Sequence, residues 1–290
     1  MTAPIWTGLS AEEHESQYNP QRSVPDFQAS RRRREPLNAA AHPLRSETDI
    51  AFGPGELHKL DLYKPKGPGP FPVHCFLHGG YWRAQDKLNF AFVAPLLLRH
   101  GVLVAVLNYE LCPASTLDGA VVSGLAGLEW VARNIDTHGG DPQRITVSGH
   151  SAGAHLIAAA LATDWVARGV PADAIKGALM ISGIYDPSPA MRTTVNADIR
   201  LTPEICNRHN YEALPPRMHC PTWVMAGGNE PLHWIDQSLR YAQHLRRHGL
   251  KPGLLISPGY HHFDIMDQYA DPRSDLARLL GRLIGYDSMQ

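Results

Sequence analysis

Hydrophobic and polar positions along the chain alternate in two distinct patterns. Short apolar or β-branched runs at 48–52, 57–63, 72–77, 102–108, 144–149, 176–182, 222–226 and 253–257 predict strands. Longer stretches at 87–99, 118–135, 151–166, 234–248 and 263–284 predict helices. From residue 72 onward strand and helix take turns, which implies a mostly parallel sheet with helices on both faces. Runs 72–77, 102–108 and 176–182 are nearly continuous apolar segments, as strands covered on both sides should be. The first two strands have no helix between them and should pair antiparallel at one edge. The expectation is an α/β fold with an eight-stranded sheet.

Two segments depart from the alternation. Residues 1–45 are polar, with turn residues at Asn19-Pro20 and Pro25, and predict two short helices packed on the surface or over a site. Residues 187–220 are rich in proline and polar side chains and are too short for a domain, so they predict a small cap over the strand ends. The 290 residues, 43% of them hydrophobic, suffice for one large core, so 1–290 reads as a single domain.

Charge narrows the partners. A net charge of −1 argues against nucleic acid or an anionic membrane surface. The one basic block, Arg31-Arg32-Arg33-Arg34, sits in a helical-looking polar segment and reads as a solvated or salt-bridged face. No apolar stretch approaches the ~20 residues of a membrane span, and the start of the chain does not read as a secretory signal. Cys75, Cys112, Cys206 and Cys220 show no CxxC spacing. Cys75 falls in an apolar strand as a core thiol, so a reduced, cytoplasmic setting fits. The partner expected is a small molecule, and a homodimer is left open.

Candidate chemistry begins at Gly149-His150-Ser151-Ala152-Gly153, where a predicted strand hands over to an alanine-rich predicted helix. Glycines two residues either side of Ser151 remove Cβ atoms that would collide in a sharp corner. The hydroxyl is thereby pushed out of the sheet, and the Ala152 N–H is turned toward an incoming oxyanion. Small residues in a tight turn also give this pattern for packing reasons, so the rest of the chain has to decide.

A serine hydroxyl needs a base, and the base needs an orienter. Tyr260-His261-His262-Phe263-Asp264 follows the last predicted strand and offers the base. Position sets this pair apart from the rest of the chain's 16 histidines, although spacing alone does not separate His261 from His262. The acid should follow the penultimate strand. There Glu230 is the natural choice, and Asp236 falls too far along the next helix. A carboxylate at a helix N-terminus also complements the macrodipole, which is the structural alternative for Glu230. His78-Gly79-Gly80-Tyr81-Trp82, after the third strand, offers backbone N–H groups for the other half of an oxyanion hole. All these residues fall at the C-terminal ends of strands, where ligands bind in open α/β sheets. Serine, acid, histidine is the chain order of the α/β-hydrolase fold.

Together His78–Trp82, Gly149–His155 and His262-Phe263 resemble the arylformamidase (kynurenine formamidase) branch of the α/β-hydrolases, a neighbour of the hormone-sensitive-lipase-like esterases. The likeness extends to Tyr18-Asn19-Pro20, Leu60-Asp61-Leu62-Tyr63, Asn108-Tyr109 and Ser182-Gly183-Ile184-Tyr185-Asp186, and so covers most of the chain. The resemblance implies a triad of Ser151, Glu230 and His262, selecting His262 over His261. It also implies an oxyanion hole from the Gly79, Gly80 and Ala152 amides, and hydrolysis of a formyl or acetyl group from an aryl amide or ester. Two departures stand out. Family members usually carry aspartate where Glu230 stands, and Pro231-Leu232-His233-Trp234 replaces Ser-Pro-Glu-Phe in a stretch expected to border the substrate.

The implied reaction is two-step acyl transfer with no cofactor, and the partner expected is a small-molecule acyl ester or amide. Tyr81, Trp82, Tyr185 and Trp234 are the candidates for an aromatic leaving-group pocket, and Arg83 for a substrate carboxylate or a surface ion pair. The alternatives are a general short-chain carboxylesterase unrelated to tryptophan breakdown, and a non-catalytic binding protein of the same fold. A metal-dependent formamidase is disfavoured because no His/Asp cluster has metal-ligand spacing. The serine at the corner excludes an aspartate nucleophile.

Overall fold

A computed structural model describes residues 6–286. The first five residues of the expected arm and the last four of the chain lie outside the described residues. Eight strands are present among those described: β1 (Glu47–Ala51), β2 (Lys59–Tyr63), β3 (Phe71–Leu77), β4 (Leu103–Leu107), β5 (Gly140–His150), β6 (Ile175–Ile181), β7 (Thr222–Gly227) and β8 (Gly253–Ser257). They form one sheet in the order β1-β2-β4-β3-β5-β6-β7-β8. β1 pairs antiparallel with β2, and β2 with β4, while every pairing from β4 through β8 is parallel. The sheet is thus mixed, with the antiparallel part at one edge.

Side-chain alternation divides the core in two. Val73, Cys75 and Leu77 of β3 join Ala178 and Met180 of β6 on one face, under α4 (Leu117–Asn134), α5 (Ala152–Ala162) and α8 (Leu232–Arg247). Phe76, Val104, Val106, Leu179 and Ile181 point the other way, toward α3 (Ala94–Arg99) and α9 (Asp275–Ile284). The continuous apolar runs of the sequence are strands buried on both sides. Burial pushes the Cys75 thiol up to about 12, so it is an inert core group.

Two predicted helices are broken. The stretch 87–99 is a 3-10 turn over Lys87–Val93 followed by α3, where Pro95 lies in the first turn of the helix. The stretch 263–284 is a 3-10 turn over Asp264–Ala270 and then α9. Pro272 interrupts it, and Ser274 caps the new helix through the Ala277 N–H.

The arm carries α1 (Ala11–Tyr18), with a Ser10/Glu13 capping box, and α2 (Gln28–Ala41). Its arginine block is salt-bridged: Arg32 pairs with Asp26, while Arg33 and Arg34 reach Asp267 at 2.9 and 3.1 Å. Segment 187–220 holds a 3-10 turn (Ser188–Arg192), α6 (Asn196–Ile199) and α7 (Pro203–Arg208). Its Thr194 N–H donates to Glu15 of α1 at 2.8 Å, so this segment supports the arm. No helix among the described residues is long and apolar enough to cross a membrane. The four cysteines are free thiols.

Candidate active site

The corner between β5 and α5 forces Ser151 to φ +54° and ψ −115°, a region that L side chains rarely occupy. Two contacts hold it there. The Ser151 N–H donates to the Ile181 carbonyl at 2.8 Å, and its own carbonyl accepts from His155 N–H at 3.2 Å. The flanking glycines are needed for close approach. A Cβ on Gly153 would stand 2.0 Å from the Leu77 carbonyl oxygen, and one on Gly149 would stand 2.5 Å from the Gly153 carbonyl carbon. Crowding of two strand ends and a helix start therefore explains the Gly-x-Ser-x-Gly spacing.

Three residues from distant parts of the chain meet at this corner. His262 Nε2 lies 3.1 Å from Ser151 Oγ, and His262 Nδ1 lies 3.0 Å from Glu230 Oε2. A carboxylate only accepts, so Nδ1 carries the proton and Nε2 is free to accept from the serine hydroxyl. The remaining Glu230 oxygen takes the Gly227 N–H at 2.6 Å and the Ser182 hydroxyl at 2.5 Å. Both members of the pair are shielded from water, with side chains 4% exposed for His262 and 0% for Glu230. Trp234 stands edge-on to the His262 ring at 4.8 Å and donates its indole N–H to the Ser182 carbonyl at 3.0 Å.

The alternatives left open by spacing are separated by direction. His261 turns toward Asp264, at 3.2 Å, and its Nδ1 accepts from the Phe263 N–H. Asp236 pairs with Arg240 within α8. The oxyanion candidates flank Ser151. Gly79 and Gly80 line the cavity described below. Ala152 is the first residue of α5, so its N–H is one of the amides that a helix start leaves without an intrahelical acceptor. Gly80 has φ +120°, and Tyr81 and Trp82 each have φ +54°, so the turn after β3 is tightly wound.

A cavity of about 410 Å³ opens from Ser151 and His262. It is lined by Gly79, Gly80, His150, Ser151 and His262 at the strand ends and by the arm, including Asn19, Phe27, Arg31, Arg34, Glu35 and Asn38. The arm, for which the sequence allows two locations, lies along this cavity. Segment 187–220 contributes none of the lining residues.

The aromatic expectation needs correction. Tyr81 lines the cavity and donates its hydroxyl to the Tyr18 carbonyl at 2.8 Å. Trp82, Tyr185 and Trp234 are fully buried and line no part of it. Trp82 packs edge-on against His155, Tyr185 stacks flat on Tyr241 at 4.0 Å, and Trp234 braces His262. Pro231–Trp234 does not border the cavity either; His233 meets the Tyr18 hydroxyl at 3.0 Å and helps seat the arm. Beside Tyr81, the aromatic lining is Phe27, Phe90 and Phe263, and the rings of Phe27 and Phe263 have centroids 5.8 Å apart. Arg83 lines the cavity and also pairs with Asp198.

Ser182, His150 and the arm residues were not legible as site residues. Ser182 gives one signal: it ends the strand predicted over 176–182, on the side of the sheet where the other site residues lie. Among the described residues no group of three or more His, Cys, Asp or Glu is placed to hold a metal ion.

A family model described as alpha/beta hydrolase fold matches residues 74–264. The chain is 31% identical to a kynurenine formamidase of Danio rerio, over 97% of this chain and 98% of that protein. It is 33% identical to one of Salmo salar, over 82% of this chain and 81% of that protein. A solved esterase of Pyrobaculum calidifontis superposes with a TM-score of 0.70 at 19% identity, covering 91% of this chain and 95% of the esterase, and so shares the fold.

Proposed function

Because the chain belongs to the arylformamidase-like branch of the α/β-hydrolase fold family and is a hydrolase of esters or amides, we propose that it removes a small acyl group, formyl or acetyl, from an aryl amide or ester through an acyl-enzyme on Ser151. The observation that carries this reading is the unbroken relay from Ser151 Oγ through His262 to Glu230, with gaps of 3.1 and 3.0 Å, beside a cavity.

His262 takes the hydroxyl proton as Ser151 attacks the carbonyl carbon. Glu230 holds the tautomer and stabilises the imidazolium that forms. The tetrahedral oxyanion is received by the Gly79, Gly80 and Ala152 amides, and each such donor is worth about 10²–10³ in turnover. The leaving amine or alcohol departs with the proton from His262. Water, deprotonated by the same imidazole, then releases the acyl group. The leaving group lies toward the Phe27/Phe263 wall. Relatives named kynurenine formamidase support a formyl group and an aromatic amine as the natural pair.

The test is a panel of N-formylkynurenine beside aryl acetates and butyrates, with Ser151→Ala as control. Turnover of N-formylkynurenine at rates matching or exceeding the esters, abolished in Ser151→Ala, is expected. If N-formylkynurenine is ignored while short esters turn over, the formamidase reading falls and an ester hydrolase remains. Activity that survives in Ser151→Ala overturns the acyl-enzyme.

A further inference from the structure

The loop bearing His262 is held by its backbone from two separate parts of the chain. His150, the residue before the serine, places its Nε2 2.8 Å from the carbonyl oxygen of His262. Arg34, from the arm helix, donates Nη2–H to the carbonyl of Phe263 at 2.9 Å. Two consecutive carbonyls, beginning at the base itself, are thus each gripped by a buried donor. We propose that His150 and Arg34 form a clamp that positions His262, making both of them positioning residues for the reaction.

The chemistry of each donor suits the task. A carbonyl only accepts, so the His150 proton sits on Nε2 and Nδ1 is a bare lone pair. His150 is 5% exposed, and its ring centroid lies 4.7 Å from that of His262. Burial first, then the charges of His262 and Arg34, hold its pKa well below the ordinary imidazole range. A neutral ring is what the position requires, because His262 becomes positive in mid-reaction and a second cation beside it would oppose that. His150 also abuts the oxyanion turn: a Cβ on Gly79 would stand 2.8 Å from His150 Nδ1. One side chain therefore sets the spacing between the turn and the base, with the nucleophile next to it in sequence.

Arg34 is anchored in turn. Its Nε donates to the Ser30 carbonyl at 3.1 Å, and its guanidinium pairs with Asp267, three residues beyond Asp264 in the turn that follows the His262 loop. The arm is thereby tied to the same turn at side chain and backbone. Displacing a catalytic group by about 1 Å costs up to roughly 10²-fold in rate, so two bonds on this loop have kinetic weight.

The clamp rests on the reading of Ser151, Glu230 and His262 as the triad, and the test separates the two. Aryl acetate hydrolysis and labelling by a fluorophosphonate are measured for Ser151→Ala, His150→Phe, His150→Gln, Arg34→Met and the His150→Phe/Arg34→Met double variant, each checked for folding by circular dichroism. His150→Phe is expected to lower kcat about 10- to 100-fold with KM within about twofold, and to slow labelling in proportion. His150→Gln, whose side-chain amide N–H reaches toward the same carbonyl, should recover most of the loss. Arg34→Met should lower kcat about tenfold, and the double variant should lose less than the product of the two singles because both act on one loop. Folded His150→Phe or Arg34→Met with more than half the normal kcat overturns the clamp, as does His150→Gln as impaired as His150→Phe. If His150→Phe does not fold, Arg34→Met alone decides. Activity surviving in Ser151→Ala sinks the triad itself, a different outcome from an inert Ser151→Ala beside a fully active His150→Phe.

Discussion

Ser182 donates its hydroxyl to Oε1 of Glu230 at 2.5 Å, while Oε2 of the same carboxylate faces Nδ1 of His262 at 3.0 Å. The buried glutamate is therefore oriented from both ends, and Ser182 itself is held at φ +51° at the end of β6. Ser182→Ala should lower kcat about three- to tenfold with KM unchanged, since it frees the carboxylate without touching substrate. Steady-state rates on an aryl acetate check this, and an unchanged kcat would remove Ser182 from the machinery.

Glu230→Gln should reduce kcat by about 10³–10⁴, because an amide no longer stabilises the imidazolium or enforces its tautomer. Glu230→Asp should be milder, roughly tenfold or more. The shorter side chain cannot keep the Gly227 N–H at 2.6 Å and His262 at 3.0 Å together. Equal losses in the two variants would show that reach is not the issue.

Phe27→Ala should raise KM for aryl substrates about three- to tenfold, the worth of one aromatic contact, and leave a small alkyl ester nearly unchanged. Ring centroids of Phe27 and Phe263 lie 5.8 Å apart on the cavity wall. A uniform change across both substrate types would move the leaving group elsewhere.

Gly153→Ala should destabilise by on the order of 3 kcal/mol, since its Cβ would meet the Leu77 carbonyl at 2.0 Å and backbone cannot step aside. A drop of about 6–12 °C in Tm is expected from thermal melts.

Buried neutral histidines set an acid limit. Burial lowers His74 and His155 from 6.5 to about 3. Between those values the unfolded chain binds more protons, so stability from this source is whole above about pH 7 and is lost as pH falls through 6.5 toward 3. Each contributes a slope of up to about 1.4 kcal/mol per pH unit in that window. His74 is held between Thr146 Oγ1 and Ser148 Oγ at 2.9 and 2.6 Å, and His74→Gln puts an amide that does not titrate between the same two hydroxyls. Its Tm should decline less steeply between pH 7 and 5 than that of the parent chain.

The sheet was readable because its strands are buried on both faces and alternate with amphipathic helices, so pattern alone marks them. The corner at Ser151 was readable because backbone crowding there admits only glycine two residues on either side. His262 was not separable from His261 by spacing. The choice depends on which imidazole turns inward: His262 faces Ser151 and Glu230, whereas His261 faces Asp264. Trp82, Tyr185 and Trp234 misled for a related reason. Trp82 packs on His155, Tyr185 on Tyr241 and Trp234 on His262, and sequence position does not reveal which side of a loop a large aromatic occupies. The arm's part in the cavity was hidden because its polar helices look alike whether they face solvent or a substrate.

The proposed triad stands at the strand ends, whereas much of the cavity lining comes from residues 19–42 of the arm. Substitutions within residues 19–42 are therefore expected to change which molecules fit without touching the relay of Ser151, His262 and Glu230. Arg34 is the exception, since it lines the cavity and also holds the Phe263 carbonyl beside His262.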